Sequence, residues 1–282
     1  MVGVNARARR GTRVLRITVL TVAAVYFLVP MASLFDFSVR FPLTGRVDAA
    51  AWLALFAPDE SGRLDLLREG LTNSLVMAVM TVALAIGILL PTMVLVRLRL
   101  PRLSRTVEFI CLLPLTIPAV VLVVGLAPVY AVISTKVLDA NTIWLAFAYV
   151  ILVLPYVYRS LDAGLRAIDV KTLSENTFSF GGSWWTVLFR VVIPNVRSAL
   201  VSAAFITIAV VLGEFTFARM LARTNLQTSL FQINLSDGQV AAAVSLLFLG
   251  LTTALLVALD LLAGVRERRR AGGNTVVSQE DE

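Results

Sequence analysis

Very few side chains in this sequence are equipped for covalent chemistry. The 282 residues contain no histidine and one cysteine, Cys111, which removes the commonest general base and metal ligand and excludes a disulfide framework within the chain. That disfavours a metalloenzyme or a Ser-His hydrolase, and neither a catalytic residue nor a metal site is expected. No G-x-x-x-x-G-K-[ST] loop is present, and Gly181-Gly182 lacks the lysine that would meet phosphates. The chemistry that remains is non-covalent. Glu214 is an ionisable group inside an apolar run; in a membrane such a group generally faces protein or water and often marks a transport pathway. It could equally sit at the outer interface beside Arg219, although five residues is a poor helical pairing distance and would need unwinding at Gly213. Asn73, Asn141 and the Pro114/Pro118 pair could also shape a pathway, whereas Asp260 and Glu108 fall near the ends of apolar runs and read as interfacial. A second group, Glu175, Gly181, Gly182, Trp184, Trp185, Phe189 and Pro194, lies in one connector. Its tryptophans and phenylalanine offer the large apolar area that dominates protein–protein hot spots.

Composition dictates what must position these residues. The chain is 58% hydrophobic and 15% charged, with a mean hydropathy of +0.86. Soluble domains run nearer about 45–50% apolar and 25% charged, and a soluble fold could not hide the excess, which must face lipid. Six apolar stretches, at residues 17–35, 71–96, 107–133, 143–158, 199–217 and 240–265, approach the roughly 20 residues that cross a hydrocarbon core of about 30 Å. The expected fold is all-α: a polytopic membrane protein of six transmembrane helices. The third stretch is long enough for two segments but more simply reads as one tilted helix. Glu214, fifteen residues after Ala199, would lie about 22 Å along the fifth.

Basic residues set the orientation. With the N-terminus inside, eighteen of the 25 Lys and Arg fall on cytoplasmic segments and seven outside, so both termini are expected in the cytoplasm. Arg-rich membrane flanks also account for the net charge of +7 without a nucleic-acid site. Residues 1–16 form a basic cytoplasmic start and 36–70 an extracytoplasmic loop with Pro42, Gly45, Pro58 and Gly62 as breakers and a short interfacial helix near 49–56. Residues 71–265 are expected to form the core of five transmembrane helices with a connector at 160–197, and 266–282 a cytoplasmic tail, its last dozen residues polar and expected to be disordered. A basic stretch before an apolar run also describes a signal peptide, but Met31-Ala32-Ser33 is a poor cleavage site and the run exceeds a signal h-region, so an uncleaved span is expected.

The long connector reads as two short helices broken at Gly181-Gly182. Leu165, Ile168, Leu173 and Thr177 give a partial stripe before the break, and Trp184, Trp185, Leu188, Phe189 and Val192 follow it up to Pro194. Such helices can lie on a bilayer surface or fill a groove in a partner, and periodicity alone does not decide. The residues do. Glu175, Gly181 six residues later and Pro194 thirteen after that glycine resemble the EAA motif of bacterial ABC-importer permeases of the MetI-like kind: Glu-Ala-Ala, three residues, Gly, nine residues, Ile-x-Leu-Pro. Val191 stands at the isoleucine and Ile193 at the leucine, while Asn176 and Thr177 replace the two alanines. Ile168-Asp169, Gly182-Ser183-Trp184-Trp185, Asn73-Ser74-Leu75 and Leu113-Pro114 with Ile117-Pro118 are also similar to the family, so the resemblance covers residues 71–262.

The resemblance implies a coupling-helix loop docked on a separate ATPase dimer, with ATP and Mg held there and no cofactor in this chain. Glu175 would accept hydrogen bonds from that partner or cap a helix of its own chain, Gly181 would allow a sharp turn and close backbone approach, and Pro194 would end the second helix. It further implies half of a pore shared with a second permease, expected to be a paralogue, and an extracytoplasmic solute-binding protein, in a bacterial inner membrane. Gly213-Glu214-Phe215-Thr216-Phe217-Ala218 looks like the second permease of systems for polyamines, ferric iron, thiamine or phosphonates, and less like the sugar permeases. An acidic residue suits a cationic polyamine, spermidine or putrescine, electrostatically. The rival readings are a self-contained secondary transporter, which would want an inverted repeat and a coupling-ion site, and a membrane enzyme, whose catalytic set is hard to assemble here.

Overall fold

The computed structural model describes residues 3–40, 45–57, 62–136 and 141–253. Pro42, Pro58, Asp260, the end of the sixth expected span and the tail lie outside them. The helices are α1 (Gly3–Val39), α2 (Ala50–Leu53), α3 (Arg63–Arg99), α4 (Ser104–Leu112), α5 (Ala119–Lys136), α6 (Leu145–Arg166), α7 (Val170–Ser179), α8 (Trp184–Thr186), α9 (Ile193–Asn195), α10 (Arg197–Gly213), α11 (Thr216–Met220) and α12 (Leu226–Ser236). A last helix, α13, covers Gly238–Thr253. Among the described residues there is no strand, only an isolated bridge between Arg40 and Val47.

Three helices, Leu15–Val39, Arg63–Arg99 and Thr142–Arg166, are long and apolar enough to cross a membrane, and two bent pairs raise the number to as many as five. The chain is an all-α membrane protein. Six spans are not reached among the described residues, because α13 as described is shorter than a span. Several expected boundaries move. The loop at 36–70 is shorter, since α1 runs to Val39 and α3 begins at Arg63. The fourth span continues to Arg166, taking the start of the 160–197 connector into the helix. The third is not one tilted helix: the segments Pro101–Thr116 and Ala119–Val132 meet at 106°. Pro118 explains the break. A residue before proline is pushed out of the helical region, and Ile117 is extended (φ −106°, ψ 124°) after a tight turn over Leu113–Thr116. The fifth stops at Gly213 rather than at residue 217, and Glu214 leaves the helix in an extended conformation (φ −79°, ψ 127°).

The chain forms two compact units. One contains α1, α2 and α13. There Trp52 donates its indole N–H to the buried Ser38 hydroxyl (3.1 Å), and Gln239 donates to the Phe37 carbonyl (3.1 Å). The other, Gly62–Ser229, holds Asn73, Asn141, Glu214 and the whole connector. Its centre is α3, α6 and α10. Their buried faces follow helical spacing: Leu145, Tyr149, Val153, Val157, Leu161 and Leu165 on α6, and Ala199, Ala203, Thr207 and Val211 on α10. Small residues let these helices approach closely. A Cβ placed on Gly164 of α6 would overlap that of Ala199 and stand 3.5 Å from that of Val196, and the Ser160 hydroxyl donates to the Ala199 carbonyl at 2.9 Å.

Candidate functional site

The connector folds as an elbow. At its entrance Arg97 of α3 donates to the Asp162 carboxylate of α6 (2.6 Å), which Arg166 also reaches (2.7 Å). Asp169 caps α7, accepting from the Thr172 amide (3.1 Å) and hydroxyl (2.7 Å). These bonds hold its carboxyl below the ordinary aspartate range. The two glycines then do different work. Gly181 has a φ of +76° with open space where a Cβ would go, so its backbone angle requires glycine. At Gly182 the close approach is decisive: a Cβ would stand 2.6 Å from Thr177 Cγ2 and 2.8 Å from the Thr177 carbonyl oxygen. Ser183 and Thr186 close a reciprocal capping box at the start of α8.

Pro194 does not end the second helix by itself. Residues Val187–Val192 form a wide π-helical turn, in which the Ile193 amide bonds back to the Leu188 carbonyl. Proline has no N–H to give and its ring crowds the carbonyl four residues earlier, so a wider turn accommodates it. Asn195 then donates its side chain to the Val191 carbonyl (2.7 Å), and the chain bends by 78° into α10.

The aromatic residues divide. Trp184 packs against the core, whereas Trp185 (63% exposed) and Phe189 (58%) stack on each other outside it, with ring centroids 5.9 Å apart. Phe180 stands 93% exposed beside them in sequence. Glu175 lies in the middle of α7, exposed, with Lys171 at 3.9 Å. It therefore caps no helix terminus among the described residues. The buried stripe of α7 is Val170 and Ser174, with Leu173 and Thr177 only half-buried.

At the other end of α10 lies a buried polar cluster. Glu214 is 7% exposed. One carboxylate oxygen accepts from the Phe217 amide and the other from the Tyr149 hydroxyl, both at 2.9 Å. The helix ends at Gly213, and Glu214 follows it in extended backbone. Breaking a helix leaves carbonyls unpaired, and side chains from the returning segment take them. Asn225 donates to the Glu214 carbonyl (2.6 Å) and Gln227 to the Leu212 carbonyl (3.0 Å). Asn225 and Thr228 form a second reciprocal cap at the start of α12. Two neighbouring residues of α3 complete it: Ser74 accepts from the Leu226 amide (2.8 Å) and Asn73 donates to the Thr224 carbonyl (3.0 Å). Asn73 and Glu214 are thus brought into one region, Asn73 as a clamp on the backbone. Asn141 lies apart, accepting from the Ile143 amide (3.0 Å). Irregular backbone at membrane depth is tolerated only where protein buries it or it lines a water-filled path, and here side chains satisfy it.

Sequence reasoning missed Tyr149, Asn225, Gln227 and Thr228, and had Ser74 only within the Asn73-Ser74-Leu75 resemblance. Asn225-x-x-Thr228 was a readable signal, an N-cap residue with a hydroxyl partner three positions on, ahead of an apolar helix. Tyr149 carried none, since its hydroxyl sits in an otherwise apolar series.

No family model matches this chain, and no curated protein is similar to it at a significant level.

Proposed function

We propose that this chain is the transmembrane permease subunit of an ATP-driven importer of the ABC class. It forms half of the translocation pore, pairs with a paralogous permease, receives cargo from an extracytoplasmic binding protein and works in a bacterial inner membrane with both termini in the cytoplasm. The observation that carries this reading is the elbow: an acid–glycine–proline spacing like that of the EAA motif, on a capped turn that leaves Trp185 and Phe189 stacked and uncovered. A stacked aromatic pair on a rigid turn suits a partner's groove. With no phosphate-binding loop in the sequence, energy arrives as movement: two ATPase subunits close on ATP, draw the elbows together and rock the spans from inward-open to outward-open. The cargo is a small solute, with a cationic polyamine favoured by the buried carboxylate of Glu214 and ferric iron, thiamine or phosphonate as alternatives in the same class.

Co-expression with a Walker-type ATPase, sought first among the genes beside this one, tests the reading. The intact chain retains the ATPase through purification, and Trp185→Ala/Phe189→Ala loses it. An ATPase that never co-purifies, or cysteine labelling that places residue 180 outside the cell, overturns it.

A further inference from the structure

We propose that α10 works as a stiff lever between the elbow and the buried cluster at Glu214, turning where Gly164 meets Ala199. Its shaft, from Arg197 to Leu212, contains neither glycine nor proline. Both of its ends are interrupted. At the elbow end stand the π-helical turn, the 78° bend and Val196 at φ −103°, ψ 18°; at the far end stand Gly213 and the extended Glu214. Hinges are built from a few residues at the ends of elements in this way.

The packing between those ends suits rotation. Ala199, Ala203, Thr207 and Val211 give the shaft a fully buried face of modest side chains at four-residue spacing, with Leu200, Ile208 and Val210 only half-buried against the core beside it. A close approach to α6 lies near the elbow end, where Gly164 leaves no room for a Cβ and Ser160 bonds the Ala199 carbonyl. The far end is held instead by side-chain bonds, from Tyr149 to Glu214, Asn225 to Glu214 and Gln227 to Leu212, which can break without unravelling a helix.

The arm length makes this arrangement sensitive. From Ala199 to Gly213 is about 21 Å at 1.5 Å per residue. A tilt of about 3° at the fulcrum moves the far end by about 1 Å, enough to stretch a 2.9 Å bond beyond hydrogen-bonding range. Small movements of the elbow therefore reach the carboxylate of Glu214, and loss of its bonds returns to the elbow along the same shaft.

The test uses the full-length chain in lipid nanodiscs and amide hydrogen exchange, so it needs neither ATPase nor cargo and its outcome is independent of the importer reading. A tether is built as Gly164→Cys/Val196→Cys with Ala199→Gly to make room, in a Cys111→Ala background. The Cβ separation of 3.5 Å lies within disulfide range. In the reduced protein, Tyr149→Phe is expected to speed exchange at least threefold over residues 213–228 and also over 187–196. Oxidation is expected to abolish the second effect and leave the first. Gln227→Leu is read in parallel. An elbow that ignores both substitutions, or one that still responds when oxidised, overturns the proposal. So does a rise in exchange spread equally over α3 and α6, which would mean a loosened bundle rather than a lever.

Discussion

The contact between Gly164 and Ala199 can be tested by exchanging their sizes. Gly164→Ala places a methyl where it overlaps the Ala199 Cβ. Carbon atoms rest at about 3.5–4.0 Å, so α6 and α10 must separate by about 1 Å at this point. Overpacking of this kind costs typically about 1–3 kcal/mol. Against it stands the helical preference for alanine over glycine, about 1 kcal/mol in favour of the variant. The net expectation is a loss of between about 0 and 2 kcal/mol, carried also by the Ser160 bond to the Ala199 carbonyl, which the separation stretches from 2.9 Å. Ala199→Gly removes the opposing methyl. The double variant should therefore be more stable than the sum of the singles allows, with a coupling of at least about 1 kcal/mol, the range seen for residues in contact. Unfolding in detergent with rising denaturant, followed by the near-ultraviolet signal of the tryptophans, measures all four corners of the cycle. Additive singles, or a Gly164→Ala protein stabilised by the full helical-propensity gain, would show that the helices do not touch there.

Other expectations follow from single residues. Ala222 has a φ of +51° after α11, with the Arg223 amide bonded to the Ala218 carbonyl at 2.8 Å. That is a helix-ending motif that favours glycine, so Ala222→Gly should raise stability by about 0.5–1 kcal/mol, and a lower melting temperature would refute it. Trp184→Ala should destabilise the fold by about 3 kcal/mol or more through lost packing; the exposed Trp185→Ala should stay within about 0.5 kcal/mol of wild type yet cut ATPase co-purification. Equal destabilisation by the two would contradict their opposite placement. Asp169 should titrate below ordinary aspartates by carboxyl NMR, because its bonds to Thr172 favour the charged form. Its folded value is depressed, so the stabilising contribution of this cap is present above the unfolded value and fades as pH falls through the folded one. A normal or raised titration point would exclude the cap in solution.

How much of this was legible beforehand depends on whether the signal was local. The apolar runs gave the helices of the membrane class because lipid imposes length and composition directly. The elbow was legible for the same reason: Gly181, Gly182 and Pro194 act through their own backbones and nearest neighbours. Even there the division of labour between the glycines was hidden, since a positive φ at Gly181 and a close approach at Gly182 leave the same letter in the sequence. Trp184 and Trp185 are adjacent and chemically identical. Only the direction in which the helix carries each of them separates core from surface.

The polar cluster was hidden for a different reason. Glu214 stood out as a charge in an apolar run, but the cluster around it draws on α3, α6 and the segment before α12, and a single bond joins residues up to 152 positions apart. Hydrogen bonds of that range leave no periodic trace. The helix break at Gly213–Phe215 is what makes them necessary, because carbonyls freed in a membrane must find donors in the protein. Those donors are Asn225 and Gln227, and Tyr149 answers the carboxylate itself. Glutamine at 214 would still accept from the Phe217 amide through its carbonyl oxygen, while its amide nitrogen would donate to the Tyr149 hydroxyl instead of accepting from it. The break therefore needs two hydrogen-bonding atoms at 214 rather than a negative charge, which leaves the charge for the proposed pathway. Glu214→Gln should accordingly keep the protein's melting temperature close to wild type while impairing transport of a cationic cargo. Glu214→Ala should lose about 1–3 kcal/mol, because it strands the Phe217 amide and the Tyr149 hydroxyl. If glutamine destabilises as much as alanine, the charge itself holds the break together, and the carboxylate belongs to the scaffold rather than to the path.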